Sequence, residues 1–445
     1  MEYVLLFLLM LPPLLLVAYR ARRLGEGGAL DLGVVFSWVV FVYAWLPILG
    51  WILAQHGYGV LQDQRVIDDN PVSSEMVYVG ACYLVFLAGF ALVYGWQRNI
   101  VTKSPVLIKA DWLQVFTVVV GAALVLSANF LPRLLLGVEQ AESYSGSYTQ
   151  YRQFPLLIQQ LMGVLSQIEF SIFLATMVFT IAWKPHLHRY VAIAVLGVLL
   201  SAVLSGGSRT FGFLLAFAYV VCLSIYVKRF KVVHLALMAG VGLVLFTFSG
   251  ILRSGGAEFG VGILTLLQGG EFFSLFINSV DLLRHSAEVG GLDVDGHLYL
   301  VDLLRFIPQQ VFGFEKLDPA AWYAKTFYPA FYEEGGGLAF GAIAESIVGF
   351  GIVEALARGM LLGAAYAFVA NRCLSGRIAP FKAFVYVWFV VISYQAFRDT
   401  SFSVFPRFVF FVLPVLIFVV VGHHVIRQAS RSDRSQTPMG LNSLP

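Results

Sequence analysis

Hydrophobic residues in this chain come in blocks of about 20, the length that crosses a bilayer, and short polar breaks between them carry nearly all the Lys and Arg. That spacing excludes most folds. A soluble domain cannot hide so much apolar surface: 59% of the residues are hydrophobic and 12% charged, about half the charged share of an ordinary soluble chain. The expected fold class is all-α, a polytopic membrane helix bundle of about eleven spans with a large external helical loop. The net charge of +3 is small and scattered, so no nucleic acid is expected as a partner.

Apolar length places the spans near 3–19, 31–55, 76–96, 112–131, 156–183, 190–205, 210–227, 232–252, 338–370, 383–397 and 402–422. The first follows Glu2 and precedes Arg20, Arg22 and Arg23, so it reads as a retained anchor rather than a cleavable leader. The ninth is too long for one simple crossing. A broken or re-entrant piece is expected near Gly349, Phe350 and Gly351, and irregular backbone at that depth survives only inside protein or beside a wet cavity. A cavity is therefore expected there.

Every second loop is basic: Arg20/Arg22/Arg23, Arg98/Lys103/Lys109, Lys184/Arg189, Lys228/Arg229/Lys231, Arg372/Arg377/Lys382 and Arg427/Arg431/Arg434 hold 17 of the 29 Lys and Arg residues. Basic loops stay in the cytoplasm, which puts the amino terminus outside and the carboxyl terminus inside. Four regions follow: spans one to eight over 1–252, an external segment over 253–336, spans nine to eleven over 337–422, and a disordered tail over 423–445. The external segment, 84 residues from Arg253 to Gly336, carries amphipathic stretches such as 271–277 and 303–307 and aromatics from Trp322 to Tyr332. It reads as a cap of short interfacial helices lying on the membrane.

Several constellations could carry chemistry. Ser205–Gly206–Gly207–Ser208–Arg209–Thr210 opens the seventh span on the external side. Free N–H groups at a helix start, close approach at glycine and one guanidinium make an anion site, although Arg209 could equally snorkel to headgroups. Arg253 and Arg398 lie at a similar depth. An arginine at the bilayer centre costs about 2.5–3.5 kcal/mol, less near an interface, so three of them suggest a shared anion such as a pyrophosphate. Independent lipid contacts, with Asp399 paired to Arg398 or Arg407, are the plainer account.

Glu345 is a carboxylate in an apolar, glycine-broken stretch; low dielectric favours its acid form, which suits a general base or a neutral hydrogen-bond donor, while a structural cap on the broken helix is the alternative. Glu354 and Arg358, four apart, read as a structural ion pair. Glu169 sits mid-span and should face the bundle interior. Tyr144, Tyr148, Tyr151 and Arg152 mix aromatics with a guanidinium, as sugar sites and interfacial belts both do. Asp293–Val294–Asp295–Gly296–His297 reads more readily as a turn than as a metal site. His285 and His297 are the external histidines best placed to act as a base. Cys82 and Cys222 fall in apolar runs and Cys373 in a basic loop, so neither a disulfide nor a thiolate metal site is expected.

Gly206–Gly207–Ser208–Arg209–Thr210, the Gly270–Glu271–Phe272 element, and Gly335–Gly336–Gly337 leading to Glu345 and Gly349–Phe350–Gly351 together resemble the bacterial Wzy-type O-antigen or oligosaccharide repeat-unit polymerases. The likeness spans roughly residues 200–400, and Arg152 with Gly163 also fits an Arg-x10-Gly pattern found in some members. The resemblance implies an integral membrane glycosyltransferase of the inner membrane, with a GT-C-like fold. It would transfer a growing glycan from polyprenyl pyrophosphate to the non-reducing end of another lipid-linked unit on the periplasmic face. Its partners would be the polyprenyl-pyrophosphate-linked oligosaccharide, membrane lipid and a chain-length regulator protein. No cofactor or nucleotide-sugar site is implied. Arg209, Arg253 and Arg398 would stabilise the departing pyrophosphate, and Glu345, or else His285, His297 or Glu271, would take the acceptor proton. Arg152, Tyr151, Ser208, Glu271, His285 and His297 would bind substrate. The rivals are an O-antigen ligase, which would use an external histidine, another lipid-linked glycosyltransferase, and a polysaccharide or lipid transporter with its site at a broken helix.

Overall fold

The computed structural model describes residues 2–23, 30–55, 74–98, 106–135, 156–204, 210–228, 230, 234, 237–238, 240–242, 271–289, 319–333 and 338–435. In chain order the elements are α1 (Glu2–Arg23), α2 (Leu32–Gln55), α3 (Ser74–Gln97), β1 (Val106–Leu107), α4 (Trp112–Leu135), α5 (Leu156–Trp183), α6 (His188–Leu204) and α7 (Thr210–Tyr226). After them come α8 (Glu271–Val289), α9 (Pro319–Phe327), α10 (Pro329–Glu333), α11 (Gly341–Val348), α12 (Ile352–Leu374) and β2 (Arg377–Ile378). The chain closes with α13 (Pro380–Ile392), α14 (Gln395–Arg398), α15 (Val404–Arg407), a π-helical turn (Phe408–Val412) and α16 (Leu413–Ser435).

Among the described residues five stretches are long and apolar enough to cross a membrane: Leu32–Leu53, Ser74–Gln97, Ile352–Leu374, Pro380–Arg398 and Val404–Val425. Shorter apolar helices accompany them. The chain is a bundle of membrane-type helices, and the helices fall on the apolar runs expected from sequence. The eighth run, 232–252, lies outside the described residues except at isolated positions.

The backbone of the bundle is the pair α3 and α12, which run in the same direction. At one end the Ile352 N–H donates to the Tyr78 hydroxyl (3.2 Å), and at the other the Asn371 side-chain amide donates to the Gln97 carbonyl (2.9 Å). Gly359 and Gly363, four apart on α12, let the helices touch: a Cβ on Gly363 would lie 2.7 Å from the Phe90 carbonyl oxygen, and one on Gly359 would overlap that of Phe86. Lipid offers no hydrophobic drive between helices, so backbone approach through small residues is what lets dispersion hold them.

Around this pair sit stacked and edge-on rings. Phe36 of α2 lies 4.7 Å from Phe90 and 5.1 Å from Tyr366, while Phe397 of α14 lies 5.3 Å from Tyr83 and 5.5 Å from Phe86. Such pairs add about 0.5–1.5 kcal/mol each beyond burial.

One end of the bundle gathers the loops predicted to be basic. Arg98 donates to Asn371 (2.7 Å) and pairs with Asp31 (3.4 Å), whose other oxygen accepts from Tyr94 and from the Gly33 N–H. β1 and β2 pair in parallel, Val106 opposite Arg377, and the Ala110 N–H donates to the Ala182 carbonyl (3.4 Å). The loops bearing Arg98 and Lys109, Lys184, and Arg372, Arg377 and Lys382 therefore share one face, as the charge alternation requires. The two strands are a minor addition to a chain whose described elements are otherwise all helical. They are two residues long, too short for any periodicity to reveal.

Residues 275–282 of α8 are buried without a break, and the Phe276 ring lies 5.6 Å from Tyr83, about 13 Å along α3 from its Ser74 end at 1.5 Å per residue. α8 packs against α2, α3 and α11. Its polar residues allow this because their groups are satisfied internally: Asn278 donates to the Ala339 carbonyl (2.5 Å) and Ser279 to the Leu275 carbonyl (3.1 Å). At the far end of the chain, α16 continues to Ser435 through a stretch expected to be disordered. A His424–Gln428 contact of 2.9 Å and helix-forming residues sustain it. The three cysteines are free and buried, Cys373 in the last turn of α12 rather than in a loop.

Candidate functional site

The long ninth run breaks where its glycines stand. α11 ends at Val348, and Gly349, Phe350 and Gly351 form the turn into α12. Gly351 adopts φ +62°, a conformation that favours glycine, and its N–H donates to the Ser346 carbonyl (2.7 Å). Glu354 in the first turn of α12 accepts from the Phe350 N–H (2.8 Å), placing a carboxylate where the helix dipole favours one. The Phe350 side chain is 84% exposed at the tip of the turn.

Beneath this turn lies a buried charge cluster. Arg358 holds Glu345 at 2.7 Å and Glu354 at 2.5 Å, so one guanidinium serves two carboxylates. Glu345 is 5% exposed and Arg358 7%. Ser401 completes the set: its N–H and its hydroxyl each donate to Glu345 Oε2 (3.0 Å), and the hydroxyl accepts from Arg358 (3.1 Å). Three donors thus converge on one carboxylate oxygen. The pairing of Glu354 with Arg358 is as expected; the sharing of Arg358 with Glu345, and the part played by Ser401, are not. Removing the guanidinium from such a cluster strands buried carboxylates, at a cost of about 3–5 kcal/mol.

Ser401 belongs to the turn that bears Arg398. α14 ends at Arg398, and its preceding residue, Phe397, is wedged among Tyr43, Tyr83 and Phe86. Arg398 is half-buried at the far end of the Pro380–Arg398 span, and the next residue, Asp399, pairs with Arg407. The turn is fixed on one side by an aromatic wedge and on the other by the Glu345–Ser401 bonds.

A second cluster lies in the 253–336 segment. Asp281 of α8 is 5% exposed, and its Oδ2 accepts from the hydroxyls of Tyr323 and Tyr328, the latter at 2.6 Å. The imidazole Nε2 of His285, one helical turn on, stands 3.6 Å from the same oxygen. The ring of His285 stacks on Phe327 at 4.5 Å and 13°, and Trp322 meets Phe327 edge-on at 5.8 Å. His285 was expected only from its external position. The signal for its partner was the carboxylate four residues earlier.

Arg152, Tyr151, Ser208, Arg209, Arg253 and His297 lie outside the described residues, as do Tyr144, Tyr148, Asp293 and Asp295. Glu271 opens α8, and its side chain is likewise outside them. Of the three arginines read as one anion site, Arg398 alone is placed. A hollow of about 490 Å³ lies away from the broken helix, walled by Leu126, Glu169, Phe173, Gly197, Ser201 and Phe211 of α4, α5, α6 and α7. Glu169 lines it, as its mid-span position suggested. No family model, curated protein or solved structure matches this chain.

Proposed function

We propose that this chain is a membrane-embedded glycosyltransferase that joins lipid-linked oligosaccharide repeat units, passing the growing glycan from polyprenyl pyrophosphate to the non-reducing end of another lipid-linked unit. On the positive-inside argument the face gathered around Asp31 and Arg98 is cytoplasmic, which directs the opposite half of the bundle, with Arg398, to the periplasm of a bacterial inner membrane. The observation that carries the reading is the fixed turn 397–401. A turn pinned on both sides fixes the backbone that carries Arg398 at the end of a span, a place from which a guanidinium can meet a charge that grows during reaction, as on a departing pyrophosphate. Arg209 and Arg253 join it on the strength of their sequence positions.

Glu345 is given the acceptor proton by sequence. With a guanidinium and two Ser401 donors on one oxygen, its geometry supports an anchor better than a base. A ligase that delivers the same glycan to a lipid core is the second reading, favoured by the Asp281–His285 pair in the segment where such an enzyme would keep a histidine.

The test is a gene deletion complemented with the wild-type protein, Arg398→Ala or Arg209→Ala, with surface glycan resolved on a gel. Loss of long chains with single capped units retained is the polymerase outcome. Loss of every capped unit is the ligase outcome. Long chains persisting in both variants would remove the arginines from the mechanism, and a deletion strain with unchanged glycan would end the reading altogether.

A further inference from the structure

We infer that the hollow between α4 and α6 is where a second copy of this chain docks: its α6 lies parallel to the first across a twofold axis along the membrane normal, and its Ser201 hydroxyl donates to Glu169. The inference stands apart from the glycosyltransferase reading and would hold for any activity.

Depth places the hollow in lipid. Glu169, Ser201, Leu126 and Phe211 line it, and they stand about 20–22 Å along their helices from Trp183, His188, Trp112 and Tyr226, at 1.5 Å per residue. Those four helix ends mark the basic end of the bundle, so the hollow of about 490 Å³ falls in the outer half of a hydrocarbon core about 30 Å thick. Its floor is firm: Phe211 of α7 meets Phe170 and Phe173 of α5 edge-on at 6.0 and 5.9 Å. Lipid chains at that depth offer neither donor nor acceptor, and a carboxylate within a span turns toward a protein group or water. Ser201 is exposed on the wall of the hollow, so its hydroxyl needs a partner from outside. A carboxylate has room for several hydrogen bonds, so Glu169 can accept this one beside its contact within the chain.

The surface is complementary to itself. Ile193, Leu196 and Leu200 form a ridge on α6, with exposures of 69%, 53% and 49%. Next to it Ala194, Gly197 and Ser201 form a furrow in the wall of the hollow, one residue on at each step. A Cβ on Gly197 meets nothing within 4 Å, which leaves space for a knob from outside. A twofold axis along the normal keeps every residue at the height of its copy, so ridge meets furrow in both directions at once. The same symmetry brings the partner's Ser201 to the level of Glu169, since both lie about 20 Å from the basic end. Small residues let helices close on each other in lipid, and a hydrogen bond between them adds to the contact. An unrelated helix would need to supply both a matching ridge and a donor at one height, whereas a second copy carries both.

The test measures association of the full-length protein. In membranes under mild oxidation Gly197→Cys should give a disulfide-linked dimer, because that position lies nearest the axis. Phe368→Cys, on the lipid-facing side of α12 and 68% exposed, should not. The native cysteines are buried and should stay silent. In lipid vesicles, energy transfer between copies labelled at the carboxyl terminus gives the dissociation constant. Gly197→Leu, which fills the furrow from within, should weaken association by about tenfold or more. Ser201→Ala should weaken it about three- to tenfold, and Ser201→Ala with Glu169→Leu by less than the product of the two single effects. A wild-type protein that stays monomeric at every protein-to-lipid ratio overturns the inference and leaves the hollow to lipid or to another protein. Equal cross-linking at Gly197→Cys and Phe368→Cys, or association indifferent to Gly197→Leu, overturns the assigned surface. Strictly multiplicative effects in the double variant overturn the Ser201–Glu169 bond.

Discussion

Arg358 stands between two carboxylates, 2.7 Å from Glu345 on α11 and 2.5 Å from Glu354 on its own helix. One guanidinium therefore closes the broken segment on itself, joining the helix before the Gly349–Gly351 turn to the helix after it. Removing the cation leaves two buried carboxylates facing each other, whereas neutralising one carboxylate leaves a matched pair. Arg358→Met should lose about 3–5 kcal/mol, and Glu345→Gln should lose distinctly less. Thermal unfolding in detergent, with both variants compared in parallel, measures the order; equal losses would mean that the cluster is not shared.

The α3–α12 contact predicts a graded response. A Cβ on Gly359 meets the Phe86 carbonyl, a backbone atom that cannot swing aside, while a Cβ on Gly197 meets nothing within 4 Å. Gly359→Ala should destabilise by about 1–3 kcal/mol through overpacking. Gly197→Ala should be neutral or gain up to about 1 kcal/mol from helix propensity. Melting curves of the two variants provide the check.

The pairing of β1 with β2 fixes which loops are neighbours. Val106→Cys combined with Arg377→Cys should form a disulfide on mild oxidation, because the two positions are opposite one another in the parallel register. A control pair, Val106→Cys with Lys228→Cys, should not. Val106→Cys alone should react with a membrane-impermeant thiol reagent only in inverted vesicles if that face is cytoplasmic. Labelling in right-side-out cells would reverse the orientation and with it the placement of Arg398.

Gly351 gives a local prediction. Its φ of +62° and the Tyr78 hydroxyl that occupies the place of a Cβ mean that Gly351→Ala must both strain the backbone and displace Tyr78. A loss of about 1–2 kcal/mol is expected. Gly351→Ala combined with Tyr78→Phe should recover the part due to the hydroxyl, and a double variant no better than the single would assign the whole cost to the backbone.

Much of this architecture is legible along the chain because bilayer thickness turns length into structure. The break at Gly349–Gly351 follows from a run too long for one crossing, and the Glu354–Arg358 pair follows from a spacing of four. Ser401 escapes such reasoning: it reaches Glu345 from 56 residues away, and no local pattern marks a serine that holds a carboxylate. Asp281 and His285 carry the same spacing as Glu354 and Arg358, but their meaning depends on Tyr323 of α9 and Tyr328 just after it, about 40 residues on. α8 misleads for a different reason. Its amphipathic residues suggest a surface helix, while Asn278 and Ser279 satisfy their hydrogen bonds inward and let residues 275–282 be enclosed.

Phe397 and Ser401 bracket Arg398 with one apolar and one polar tether, and the polar one ends on a helix that is itself interrupted. Both tethers act on backbone within three residues of the arginine, so its origin is set by α3 on one side and by α11 on the other. The place of that cation is thereby tied to the interrupted stretch, and an insertion or deletion between Glu345 and Ser401 would shift it.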